Sequence, residues 1–189
     1  MKKIILASSS PRRRELLANA ELKFDVCIKN VDETPPEGLA PAEAVEYIAK
    51  KKALAISAIA EDAIVIGADT VVVLDGKVMG KPKDKEHACQ MLSALSGKEH
   101  EVITGVCLAY DGKEETFHCV SKVRFWDLSD EEIKHYVTGG EPMDKAGAYG
   151  IQGKGCLLVK NIEGDFFNVV GLPAARLYRL LKDIGVDGI

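Results

Sequence analysis

Three serines and three arginines stand within seven residues near the start of the chain, in the run Ser8-Ser9-Ser10-Pro11-Arg12-Arg13-Arg14. Hydroxyls and guanidinium forks are the donors that suit phosphate oxygens. Pro11 fits the first position of a helix, with Ser10 as its N-cap. The free N–H groups and dipole of such a start favour an anion. Cations are electrostatically misplaced in a helix's first turn. Three arginines there therefore point to something negative among them; an ordinary capped helix with a basic first turn is the other reading. A second chemical candidate is Asp69, a lone carboxylate in the run AIVIGADTVVVL. An acid at the end of a buried strand is where α/β proteins place catalytic or metal-binding groups. The alternative is a surface turn, but the apolar run continues through Thr70–Leu74, so the acid is costly to bury without a cation or donor beside it.

Other polar groups are less distinctive by themselves. Asp32 and Glu33 lie in NVDETPPEG, which by composition reads as a solvated acidic loop. Lys50-Lys51-Lys52 reads as the solvated face of a helix. Lys81 is placed on a constrained turn by Gly80 and Pro82. Glu141–Gly155, EPMDKAGAYGIQGKG, carries four glycines and two lysines without an apolar period. A loop that long in a compact domain is usually functional or disordered. It matches neither phosphate-binding glycine pattern, GxxxxGK[ST] or GxGxxG after a strand.

The elements that must position these groups follow from periodicity. Ile4–Ala7 reads as a buried strand leading into the Pro11 helix, and Lys23–Ile28 as a half-buried strand. Pro41 opens a helix over about 42–60. Residues 63–74 read as one long strand, apolar on both faces in its first part, as in the middle of a covered sheet. Asp75-Gly76 and Asp111-Gly112 are hairpin turns, the second joining strands at 102–110 and 116–126. Residues 84–96 form an amphipathic helix stopped by Gly97. Ser129 and Glu132 form a capping box for a helix to Thr138. Cys156–Lys160 and Phe166–Val170 read as short strands. Pro173 opens a closing helix whose Leu177, Leu180, Leu181 and Ile184 face the core. Hairpins mixed with helix-connected strands give an α/β fold with a mixed sheet.

Composition narrows the function. A length of 189 residues with 47% hydrophobic content suits an ordinary globular chain. The net charge of −4 supplies no basic field for nucleic acid, and aromatic content of 6% is not interleaved with basic residues. Any anion site must be local. The start Met1-Lys2-Lys3 imitates a signal peptide, but only four apolar residues follow before the arginine-rich helix. No run approaches the ~18 apolar residues of a membrane span. The five cysteines are odd in number and form no CxxC pair. Most lie in apolar runs, so buried, reduced thiols and a cytoplasmic setting are expected.

Taken in order, LASSSPRR (6–13), VDE (31–33), KKA (51–53), GADTVV (67–72), GKP (80–82), LSG (95–97), DKAGAYGIQG (144–153) and VVGLP (169–173) resemble the Maf family. The resemblance runs through essentially the whole chain and implies one domain over residues 1–189. The implied fold is an elongated mixed sheet with flanking helices and a cleft between two lobes, shared with inosine triphosphate pyrophosphatases. The implied activity is hydrolysis of a nucleoside triphosphate to the monophosphate and pyrophosphate. It brings with it a divalent cation, usually Mg²⁺, and a homodimer. Asp69 corresponds to the proton acceptor. Ser8, Ser10, Arg12, Arg13, Lys52 and Lys81 correspond to substrate-binding positions, and Glu33 with Asp69 to metal ligands.

Arg12, Thr70 and Gln152 occupy the positions that separate family subtypes. All three look like the subtype that cleaves dTTP and UTP, along with some modified uridine triphosphates. The 7-methyl-GTP subtype carries an aromatic residue, a glutamine and a glutamate there. A 7-methyl-GTP pyrophosphatase, or a cell-division regulator acting through a protein partner, are the alternative expectations.

Overall fold

A computed structural model describes residues 2–60 and 62–186. Its centre is a seven-stranded mixed sheet with the order β2-β1-β3-β5-β6-β7, and β4 pairs with β3 off this path. The strands are β1 (Lys3–Leu6), β2 (Phe24–Val26), β3 (Ala63–Leu74), β4 (Lys77–Met79), β5 (Glu99–Tyr110), β6 (Lys113–Phe125) and β7 (Val159–Glu163). β1 runs parallel to both β2 and β3, whereas β3–β4 and β6–β7 are antiparallel. The helices are α1 (Pro11–Asn19), α2 (Pro41–Ser57), α3 (Lys85–Leu95), α4 (Asp130–Thr138), α5 (Phe166–Val170) and α6 (Ala174–Asp183). The mixed α/β architecture expected from the sequence is the one observed.

By contacts the chain forms two compact units. The first comprises Met1–Asp69, Thr104–Cys119 and Gly171–Ile189; the second comprises Thr70–Ile103 and Val120–Val170.

In the first unit, parallel β1 and β3 are apolar on both faces, and helix α2 covers one of them. Ile5, Ala7, Ala49, Ala53, Ile56, Val65 and Cys107 form one buried cluster. The helix comes unusually close to the sheet. A Cβ on Gly67 would lie 2.2 Å from the Ala49 carbonyl oxygen, and one on Gly105 would lie 2.5 Å from the Val45 carbonyl carbon. Two adjacent strands thus present bare backbone where α2 crosses them.

In the second unit, α3 and α4 pack with β-strand side chains around Leu92, Leu95, Phe125, Tyr136 and Tyr149. The ends of both helices follow local rules. Asp84 accepts the His87 N–H at 2.7 Å. Ser129 and Glu132 cap each other reciprocally at 3.2 and 2.7 Å. Both hairpin turns carry left-handed residues, Asp75 and Gly76 in one and Asp111 and Gly112 in the other.

Two local expectations are corrected. Phe166–Val170 is a helical turn, not a strand. Asp165 accepts the Phe167 N–H at 2.8 Å and starts the turn. Buried Asn168 then donates to the Val102 carbonyl and the Ser121 hydroxyl, both at 2.9 Å. These long-range bonds satisfy the NH₂ group of a polar side chain that a strand pattern leaves unexplained. Cys156–Leu158 lies in a short 3₁₀ segment, and β7 begins only at Val159. Of the five thiols only Cys107 is fully buried, and Cys156 is exposed.

Candidate active site

The polar groups of the first unit assemble around two cations that behave differently. Arg13 is buried, at 8% exposure. Its position on the first turn of α1 sends the guanidinium inward. Nε donates to the Gly171 carbonyl at 2.8 Å, and Nη1 donates to the Ser8 hydroxyl at 3.1 Å and the Ala68 carbonyl at 3.0 Å. One side chain thereby ties the serine loop to the segment before α6 and to β3 one residue before Asp69. Burial depresses the Arg13 pKa, partly offset by the attraction of Asp69. Arg13 thus spends its charge on fixing the loop. Arg12 is half-buried and Arg14 exposed on the same helix.

The second cation, Lys52, projects from α2. Its ammonium donates to Asp69 Oδ1 at 2.8 Å and to Glu33 Oε2 at 2.9 Å. Lys52 and Asp69 are 14% and 15% exposed, while Glu33 is 58% exposed. The acid inside the β-run has therefore found the partner its desolvation demands. The loop acid Glu33 joins the same cluster, which its sequence context alone did not mark. Neighbouring Asp32 caps its own turn by accepting the Thr34 N–H at 3.0 Å. That bond, helped by Lys51, holds the Asp32 carboxyl below its usual range.

Glu33 and Lys52, with Ala7–Ser9 and Ile28–Val31, line a cavity of about 210 Å³. Ser8 is buried at its edge and also accepts the Ser10 N–H at 3.3 Å. Ser10 does occupy the N-cap position of α1, but its side chain makes no capping bond. The wall is polar at Ser8, Glu33 and Lys52 and apolar at Ile28 and Val31. Two carboxylates converging on one ammonium leave oxygens placed for a hard cation. Magnesium is generally held by one or two carboxylates completed by phosphate and water oxygens. Among the described residues no group of three or more His, Cys, Asp or Glu is arranged to hold a metal. Glu33 and Asp69 bring two carboxylates together at Lys52.

The remaining sequence candidates belong to the second unit. Thr70 follows Asp69 on β3, and successive strand residues face opposite sides. Lys81 is exposed on the turn after β4, and Gln152 is exposed in the long loop. That turn and that loop are joined within the unit, since Gly147 donates its N–H to the Gly80 carbonyl at 3.1 Å. The loop is not disordered coil. It contains 3₁₀ segments at Glu141–Asp144, Ala146–Ala148 and Lys154–Leu158. Glu141, absent from the sequence-based candidates, accepts bonds from Tyr136, Lys154 and Gly155. No local pattern reveals it, because its partners are a side chain of the preceding helix and backbone groups more than ten residues on.

The chain has relatives among known proteins. The family model described as Maf-like protein matches residues 3–184. A dTTP/UTP pyrophosphatase of Pelotomaculum thermopropionicum is 53% identical over 189 residues, covering 99% of each chain. A dTTP/UTP pyrophosphatase of Bacillus pumilus is 50% identical over 186 residues, 98% of each. Among solved structures, a HAM1 protein from Coxiella burnetii is 15% identical, with a TM-score of 0.53 over 97% of this chain and all of that one. That last likeness bears on the fold alone. With the Maf model matching nearly end to end and two relatives at half identity or more, the chain belongs to the Maf family.

Proposed function

We propose that this protein is a nucleoside triphosphate pyrophosphatase that hydrolyses dTTP and UTP, and modified uridine triphosphates, to the monophosphate and pyrophosphate. The observation that carries the reading is the Lys52–Asp69–Glu33 cluster at 2.8 and 2.9 Å beside the buried serine loop. Relatives of nearly equal length bear the name of this activity. In the reaction, water attacks the α-phosphorus, the bond to the β-phosphate's bridging oxygen breaks, and pyrophosphate leaves.

Asp69 accepts the proton of that water. Lys52 neutralises phosphate charge and holds Asp69 oriented. Ser8, Ser10 and Arg12 donate to phosphate oxygens at the start of α1, where the helix dipole also favours negative charge. Arg13 keeps the serine loop in place. A divalent cation, Mg²⁺ by the chemistry of its ligands, would be held by Glu33 and Asp69 and would acidify the attacking water. The family correspondence assigns Lys81 a phosphate contact and Arg12, Thr70 and Gln152 the choice of base. An amide at 152 can both donate and accept, matching the adjacent carbonyl and N3–H of uracil or thymine, whereas a glutamate only accepts.

We read residues 1–189 as one functional domain that acts in the cytoplasm as a homodimer. No helix among the described residues is long and apolar enough to cross a membrane.

The test is pyrophosphate release with Mg²⁺ from dTTP, UTP, CTP, ATP, GTP and 7-methyl-GTP. Selective turnover of dTTP and UTP is expected. Preference for 7-methyl-GTP would overturn the subtype, and no turnover of any nucleotide would overturn the enzyme reading.

A further inference from the structure

Gln152 is exposed, yet the backbone on both sides of it is fastened. The turn Gly150-Ile151-Gln152-Gly153 is closed by the Gly153 N–H on the Gly150 carbonyl at 3.4 Å. Ahead of it, the Gly150 N–H donates to the Tyr136 hydroxyl at 3.1 Å. Behind it, the Lys154 and Gly155 N–H groups donate to the two oxygens of Glu141 at 3.0 and 3.3 Å. The Tyr136 hydroxyl itself donates to Glu141 at 3.1 Å, closing the circuit.

The fit is tight. A Cβ on Gly153 would lie 2.5 Å from both carboxylate oxygens, and one on Gly155 would lie 2.9 Å from the Tyr136 hydroxyl. Tyr136 is only 4% exposed and packs in the core of the second unit. Lys145 donates to the Glu141 carbonyl at 2.6 Å, which fixes the carboxylate's own backbone. One more anchor lies just upstream, where the buried Tyr149 hydroxyl meets His100 Nε2 at 2.8 Å.

We infer that Glu141, acting with Tyr136, is a specificity-positioning residue that holds the Gly150–Gly153 turn so that the Gln152 amide is presented in one orientation. The inference rests on the base-reading role proposed for Gln152. A carboxylate suits the task because it accepts from three donors at once, and charge-assisted bonds are the stronger kind. A glutamine at 141 would keep one acceptor oxygen and turn an NH₂ toward groups that are themselves donors. A flexible amide pays rotational entropy on meeting a base, and a fixed one does not.

The experiment is steady-state pyrophosphate release from dTTP and CTP for the wild type, Glu141→Gln, Gln152→Ala and the double variant, with thermal unfolding of each. Glu141→Gln should lower the dTTP-to-CTP ratio of kcat/KM about tenfold, the scale of one or two lost hydrogen bonds. The loss should lie in KM for dTTP, with kcat within about threefold of wild type, as for removal of uniform binding. The double variant should then be no less selective than Gln152→Ala alone, since both changes act through one group.

Should Glu141→Gln fail to fold, Tyr136→Phe, which keeps the ring and removes only the hydroxyl, is expected to show the same KM-borne loss at about threefold. If Gln152→Ala lowers the ratio and Glu141→Gln leaves it unchanged, or if the two losses multiply in the double variant, the positioning role is wrong and the base-reading role stands. If Gln152→Ala leaves the ratio unchanged, both are wrong.

Discussion

The serine loop of the first unit and the glycine-rich loop of the second are both held by hydrogen bonds, but of opposite character. Around the first, charge meets charge. Lys52 is shared by two carboxylates, while Arg13 has its guanidinium committed to neutral acceptors. Ion pairs of this kind can be exchanged for a phosphate or a metal with little rearrangement. Around the second, backbone N–H groups and one phenol converge on a single carboxylate, and an aromatic trio of His100, Phe125 and Tyr149 packs edge to face with centroids 4.8–5.4 Å apart. The first region is suited to charge chemistry and the second to shape, so substitutions in the two should fail in different ways.

The largest effect should come from Asp69→Asn, which keeps the bond to Lys52 but removes the proton acceptor. We expect kcat to fall about 10³-fold, within the range for general acid–base groups. Pyrophosphate release by saturating dTTP measures it, and a loss below about tenfold would be too small for a proton acceptor.

An acid titration acts on the second region through His100. His100 is 2% exposed, and burial lowers its pKa from 6.5 to about 4. Between those values the unfolded chain binds a proton that the folded chain refuses, so this contribution to stability is complete above pH 6.5 and lost as pH falls towards 4. The loss amounts to about 3 kcal/mol. Urea unfolding across pH 4–7.5 should show it, and His100→Gln should flatten the slope. An unchanged slope in that variant would mean that His100 is not the group responsible.

Arg13→Lys separates positioning from substrate contact. An ammonium cannot reproduce the fork that reaches Ser8, Ala68 and Gly171, and a cost of about 2 kcal/mol in stability is expected. A variant with wild-type melting temperature but a greatly raised KM for dTTP would reassign Arg13 to phosphate. The smallest effect is expected from Gln152→Glu, an exposed change that should leave melting unaltered and lower dTTP selectivity about tenfold, as for a hydrogen bond to a substrate edge. Untouched dTTP turnover in that variant would remove the residue from base reading.

Much of this was legible in the sequence, because the physics responsible is local. Hairpins at Asp75-Gly76 and Asp111-Gly112 follow from residues that tolerate positive φ. The Ser129–Glu132 cap follows from spacing alone. Asp69 stood out because an acid inside a β-run needs a partner, though nothing local said that the partner would be Lys52, read as a solvated face. The misses share one cause. Phe166–Val170 is helical through Asn168's bonds to Val102 and Ser121, Glu141 draws its donors from the preceding helix and from the far end of its own loop, and Arg13 turns inward towards Gly171. Each is decided by groups far away in the chain, which no window of sequence displays.

The bare backbone at Gly67 and Gly105 has a consequence for the chemistry. Helix α2 carries Lys52 and β3 carries Asp69, so the gap between helix axis and sheet sets the length of the ion pair. That gap is as small as it is because two methyl groups are missing. A methyl at either position would act as a shim under the helix, pressing on its backbone and lifting the ammonium from the carboxylate. The strength of the site is thus adjustable from underneath, at apolar positions that never meet a nucleotide.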